Sequence, residues 1–174
     1  MLGLLINMAL LTLWVLLLYL FKRRLTIILI GIAIGIVPVS LFTILVETSL
    51  LQTPLTIQVS SIIVAPIVEE SLKFLFILLL AWKSSRILSQ VKIFGAAVGL
   101  GFAYFENLGV ITNVPDILLR SVSSWPLHII TALFLSYGVE SRMALKKPTA
   151  WTVAYFLIAL TIHGAFNYTI LFWI

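Results

Sequence analysis

The chain has no cysteine, which excludes disulfides and thiolate chemistry. It is poor in charge: Asp, Glu, Lys and Arg make up 10% of 174 residues, whereas a soluble domain carries roughly 25%. Asp116 stands outside the long apolar runs, so no aspartate falls inside a span and an aspartyl dyad is excluded. A His-Glu-x-x-His helix is absent, which removes the common zincin arrangement. There is no Gly-x-Ser-x-Gly elbow either. Internal repeats and low-complexity tracts are lacking. What fills the chain instead is apolar: 62% hydrophobic residues and a mean hydropathy of +1.21. A bilayer core of about 30 Å takes about 20 apolar residues per helix, so the composition predicts an integral membrane protein with short loops.

Six spans can be read, at about 2–21, 25–46, 57–82, 93–112, 120–141 and 150–173. The expected fold is an all-α, polytopic transmembrane bundle forming one integral-membrane domain over 1–174. The first run has no basic segment before it and no small-residue cleavage site, and its basic cluster follows it. That order predicts a retained helix rather than a cleaved signal peptide. Nine of the eleven basic residues lie in three alternate loops: Lys22, Arg23 and Arg24; Lys83, Arg86 and Lys92; Arg142, Lys146 and Lys147. The other two loops hold Glu47, Asp116 and Arg120. Excess Lys and Arg marks the cytoplasmic side, so both termini are expected outside. Most of the net charge of +5 is then topology, and no nucleic acid partner is implied. Trp82 and Trp151 fall at inner ends and Trp125 and Trp173 toward outer ends, as an interfacial aromatic belt requires. Gly31 with Gly35, and Gly95 with Gly99, have the four-residue spacing that lets helix backbones approach.

Against this background Glu69, Glu70, Lys73, Glu106, His128 and His163 lie within spans, accompanied by Asn107 and Asn167. Four unpaired charges at 2.5–3.5 kcal/mol each would cost on the order of 10 kcal/mol, so they must face inward, pair, neutralise or meet water. Their depths agree. Counted to the nearest cytoplasmic base, Glu69 to Lys83, Glu106 to Lys92 and His128 to Arg142 are each 14 residues, and His163 to Lys147 is 16. At 1.5 Å per residue these are about 21 to 24 Å, one level on four helices, beyond the midplane toward the outside. Glu69 and Glu70 stand four and three residues before Lys73, within pairing reach on one helix. His163 and Asn167 share a face, and Gly164 removes bulk beside them. Pro66 and Pro126 each remove a backbone hydrogen bond near the polar level. Broken backbone at that depth is tolerated where it lines a cavity.

A lone intramembrane His or Asn is commonly a packing hydrogen bond, and Glu70 with Lys73 could be structural. The ensemble points instead to a hydrated polar site. Peptide hydrolysis needs a base for water, a donor for the oxyanion and an acid for the leaving amine. Carboxylate, histidine and asparagine at one level can supply these. A zinc ion held by His128, His163 and a glutamate is an open alternative. So are a proton-coupled transporter or channel, and a scaffold that binds other helices.

Four stretches in order carry a family resemblance: "EESLK" (Glu69, Glu70, Lys73), "GFAYFEN" (Phe102, Glu106, Asn107), "PLHIITALFLSYG" (His128 to Gly138) and "HGAFN" (His163, Asn167). With them the chain resembles the PrsW family of intramembrane proteases over a motif core of about 57–174. The resemblance implies a plasma-membrane endopeptidase, with its active site nearer the outer leaflet, that cuts single-pass proteins such as anti-sigma factors. The wider group includes type II CAAX prenyl endopeptidases, which resemble the pattern Glu-Glu-x-x-x-Arg, Phe-x-x-x-His and His-x-x-x-Asn. Here Lys73 comes one residue early in place of arginine, and Glu106 stands where that group has histidine. Both departures weigh against CAAX-type specificity. By the resemblance Glu69 activates water and His163 with Asn167 holds the oxyanion. Glu70 and Lys73 orient Glu69, Glu106 and His128 position the water, and Asn107 and Pro66 support. The family is glutamate-type or metal-dependent. No cofactor is favoured, and the candidate ligands for a zinc ion are Glu69, Glu106, His128 and His163.

Overall fold

A computed structural model describes residues 2–22, 24–50, 57–110, 118–120 and 122–173 of the chain. Among these the regular structure is helical, with no strand. The long helices are α1 (Leu2–Lys22), α2 (Leu25–Leu50), α3 (57–83), α5 (Val91–Val110), α6 (Ser124–Met143) and α7 (Thr149–Trp173). A short α4 (Ser85–Leu88) links α3 to α5, capped by Ser84, whose hydroxyl accepts from the Ile87 N–H. Among the described residues three helical stretches are long and apolar enough to cross a membrane: Leu25–Leu50, Leu118–Met143 and Thr149–Phe172. α1 holds a shorter apolar stretch, Leu4–Leu20. Polar residues interrupt the other two, with Glu69, Glu70 and Lys73 in α3 and Lys92, Glu106 and Asn107 in α5.

α5 is the axis of the bundle. Every residue from Phe94 to Ala103 is buried, so this helix is surrounded rather than amphipathic. Its glycines explain how that is achieved. A Cβ on Gly99 would strike the His128 carbonyl, and one on Gly95 the Ser136 hydroxyl, so α6 lies backbone-close along one side. On the other side Gly101 faces the Ile32 carbonyl, while Gly31 and Gly35 of α2 face Phe94, Ala97 and Val98. The four-residue glycine spacing is therefore a packing device on two faces of one helix. One apolar cluster around Ile77, Phe94, Val98 and Leu135 fills the space toward α3 and α6, and another around Ile28, Ala97, Leu100 and Trp125 fills the space toward α1 and α2.

Two helices contain a five-residue π-turn. In α2 it covers Gly35–Val39 around Pro38; the Ser40 N–H and hydroxyl both return to the Gly35 carbonyl, the latter at 2.8 Å. In α3 it covers Ser60–Val64, immediately before Pro66. A proline removes a donor and crowds the carbonyl four residues back, and a π-turn absorbs that fault without ending the helix.

Two expectations change. Pro126 does not break a span: α6 begins at Ser124, so Pro126 sits in its first turn, where its missing N–H would lack a helical partner anyway. Trp125 is not a belt residue but fully buried, its ring 6.4 Å from that of Tyr104. Trp82 and Trp151 are exposed as a belt requires, while the Trp173 side chain and Asp116 lie outside the described residues.

The glycine contacts give a paired prediction. Gly99→Val should destabilise the purified protein by roughly 1–3 kcal/mol through overpacking, read as a lower melting temperature in detergent. Gly109 lies in the same helix, but a Cβ there meets nothing within 4 Å. Gly109→Ala should raise the melting temperature, by up to about 1 kcal/mol of helix propensity.

Candidate active site

The centre of the site is a lysine. Lys73 is fully buried, and its Nζ lies 2.9 Å from Glu70 Oε1, 2.9 Å from His128 Nδ1 and 3.6 Å from Glu69 Oε2. The Phe102 ring lies beneath it, 4.1 Å from Nζ to centroid. An ammonium has donors only, so it fixes the tautomer of His128: Nδ1 accepts, and Nε2 carries a proton toward Glu106 Oε2 at 2.7 Å. Phe102 also meets the His128 ring edge-on, with centroids 5.0 Å apart. Phe102 and Glu106 are one turn apart on α5, so one face of that helix both supports and orients the histidine.

Glu70 is buried behind this layer. Its Oε1 receives Lys73, the Thr131 hydroxyl at 3.2 Å and His163 Nδ1 at 2.8 Å. The Nδ1–H of His163 is thereby committed to Glu70, and Nε2 faces Glu69 Oε2 at 3.8 Å. The two imidazoles stand nearly perpendicular, 5.2 Å apart. Glu69 differs from Glu70 in kind. Glu70 takes three hydrogen bonds at Oε1 and none at Oε2, whereas Glu69 Oε2 has charged neighbours at 3.6 and 3.8 Å and no hydrogen bond.

These groups meet at a cavity of about 340 Å³, bordered by Glu69, Glu106, His128, His163 and Asn167, with Ser61 and Ala65 of α3 and the Arg120–Ser124 turn around them. Glu70 and Lys73 do not border it. The sequence-derived set thus divides into a cavity-facing row and a buried support. Pro66 is buried one turn before Glu70, behind the π-turn. Asn107 is not brought to the cavity: one residue on from Glu106 it points elsewhere, fully buried, with neither amide atom paired.

Several participants escaped the sequence reading. Thr131 lies one turn after His128 on α6, and that spacing is the signal that could have found it. Arg120 approaches Glu106 Oε1 at 3.5 Å and the Ser124 hydroxyl donates to its Oε2 at 3.3 Å; Arg120 had read as loop, and Ser124 as an unremarked residue of the fifth span. Glu47, near the end of α2, lies within electrostatic reach of Glu106, His163 and Lys73, although its sequence context had placed it in an outer loop.

Glu69, Glu70, His128 and His163 offer ligand atoms within 4.8 Å of one another, a spacing and donor set a metal ion can use. The set contains Glu70 where the sequence suggested Glu106, because Glu106 is taken by His128 Nε2. As arranged, however, the ammonium of Lys73 already uses Glu70 Oε1 and His128 Nδ1. The one lone pair of Nδ1 cannot serve both, so an ion held through Nδ1 of His128 requires Lys73 to withdraw.

Comparison with protein families matches residues 21–174 to PrsW-protease, the PrsW family intramembrane metalloproteases. Curated proteins and solved structures return no match.

Removing one member of a buried ion pair costs about 3–5 kcal/mol because the other charge stays behind unpaired. Lys73→Met should therefore lower the melting temperature steeply in detergent, and adding Glu70→Leu to it should recover at least half of the loss. A single variant that melts like the wild type would show that Lys73 carries no charge in the folded protein.

Proposed function

From the membership of the chain in the PrsW family of intramembrane proteases, we propose that it is an endopeptidase cutting single-pass membrane proteins, such as anti-sigma factors, with water activated by Glu69. The observation that carries this reading is the division of the polar residues. Glu69, Glu106, His128, His163 and Asn167 border one cavity, and Glu70 with Lys73 stands behind. Glu69 borders that cavity and takes a proton from water as it attacks the scissile carbonyl. Glu106, held by the Nε2–H of His128 and bordering the same cavity, positions that water. The Asn167 amide and the Nε2–H of His163 stabilise the oxyanion. Because Nδ1 of His163 already donates to Glu70, this role requires the imidazolium. Its charge offsets the third carboxylate, since Lys73 and Arg120 balance only two of Glu69, Glu70 and Glu106. The proton on Glu69 then passes to the leaving amine. Lys73 and Glu70 are positioning residues for Glu69 and the two histidines.

A metal-dependent version is favoured by the close group of four donors. Glu69, Glu70, His128 and His163 would hold the ion once Lys73 withdrew, and the ion would supply Lewis acidity. The position of Lys73 supports the metal-free version. The six long helices support six crossings, and the alternate basic clusters support both termini outside, with the cavity nearer the outer leaflet of the plasma membrane by the residue count from those clusters. Lys73 and Glu106 depart from the CAAX prenyl endopeptidase pattern, which makes that specificity the weaker alternative.

Co-expression with a single-pass reporter tests the reading. Glu69→Gln should insert normally and abolish cleavage, whereas unchanged cleavage would sink the assignment. Cleavage by purified wild type should survive chelation with no stoichiometric zinc by elemental analysis; loss on chelation with recovery on zinc addition favours the metal version. Flux of protons into liposomes that persists in Glu69→Gln would instead favour a transporter.

The absence of native cysteine makes the topology testable. In intact cells an impermeant maleimide should label Val122→Cys and spare Ser85→Cys until lysis. The reverse pattern would invert the proposed orientation.

A further inference from the structure

The two π-turns are healed differently. In α2 the hydroxyl and N–H of Ser40 close the turn inside its own helix. In α3 the Ala65 N–H reaches back five residues to the Ser60 carbonyl. The next N–H in that series would belong to residue 66 and serve the Ser61 carbonyl, but residue 66 is proline and has none. Ser61 O therefore has no donor in its own helix, and an unpaired carbonyl at membrane depth is costly. Asn167 Nδ2 of α7 supplies the missing donor at 2.8 Å. Gly164, one turn earlier on α7, permits the approach: a Cβ there would stand 2.9 Å from the Ile62 carbonyl. Ser61 and Asn167 both border the cavity with Glu69 and His163.

We propose that the Ser61 carbonyl is a docking point for the main chain of the peptide being cut, covered by Asn167 until that peptide arrives. This deepens the proteolytic reading above and rests on it. A transmembrane helix must unwind around the bond to be hydrolysed. Its N–H groups there lose their helical acceptors in a place with little water, and each needs another. Ser61 O accepts one of them. The displaced Asn167 amide then turns its N–H groups into the cavity, beside His163, where the oxyanion forms. Peptide binding and assembly of the oxyanion donors become one event. The recognised chemistry is an extended backbone, independent of side chain. Pro66 acts through Ser61 as a positioning residue, by withholding the N–H that would fill its carbonyl.

The probe is the reporter segment cleaved in the assay above, made synthetically with each amide near the cut replaced in turn by an ester, which removes one N–H. With wild type, one ester within three residues of the scissile bond should raise KM about tenfold and leave kcat within twofold. In Pro66→Ala, whose own N–H can occupy the carbonyl, KM for the parent peptide should rise and the ester effect should fall below twofold. In Asn167→Ala kcat should fall for all peptides while the ester effect persists, because Ser61 O remains. This second variant decides the matter if Pro66→Ala does not fold. Esters cleaved like the parent, an ester effect undiminished in folded Pro66→Ala, or one lost in Asn167→Ala would each overturn the docking role, with cleavage of the parent leaving the protease reading intact. A parent peptide that wild type cleaves no better than Glu69→Gln removes the protease reading and the docking role together.

Discussion

A buried ammonium organises everything else in this protein. Lys73 touches Glu70 and His128, approaches Glu69 and rests on Phe102. Each contact sets a further one. Because the ammonium can only donate, His128 must accept at Nδ1 and present Nε2–H to Glu106. Because Glu70 is held by Lys73 and Thr131, it can fix His163 from behind. In a low-dielectric interior such a cluster is stable only when every member has its counterpart. Two oxygens depart from this, Oε2 of Glu69 and Oε2 of Glu70, which have no hydrogen-bond partner, and of the two residues only Glu69 borders the cavity. Glu69, which has ion-pair neighbours but no hydrogen bond at Oε2, is thus the carboxylate of that pair on the cavity side, and Glu70 the one on the buried side.

The helical frame was largely legible from the chain, and for one reason. Apolar runs of membrane length separated by basic clusters leave little freedom in where helices fall. The polar level was legible too, since counting residues from the basic clusters measures height along a helix. That measure placed Glu69, Glu106, His128 and His163 together, and they border one cavity.

Height, however, says nothing about azimuth. Asn107 sits at nearly the height of Glu106 but a third of a turn away, and it faces a different interior. Thr131 is set one turn below His128, yet bonds Glu70 across two helices. Trp125 reads as an interfacial residue by position and is a core residue by packing. Proline also has two meanings that sequence alone does not separate. Pro66 disturbs a helix in mid-course, whereas Pro126 opens one. The difference lies in where the helix starts, which the bond from the Ser123 N–H to the Arg120 carbonyl marks and no sequence signal announces.

The site is unevenly anchored. α5, ringed by neighbours and pinned by glycine contacts, has no room to shift, and α6 is backbone-close to it. α7 buries little of itself and brings His163 and Asn167 to the cavity from the rim of the bundle. Of the three described stretches long and apolar enough to cross, it turns the largest share of itself away from the bundle, so a protein embedded in the same bilayer can meet this helix directly. Its search is two-dimensional, along the membrane plane, so encounter depends on lateral diffusion and on which proteins share the lipid neighbourhood rather than on concentration in any aqueous compartment.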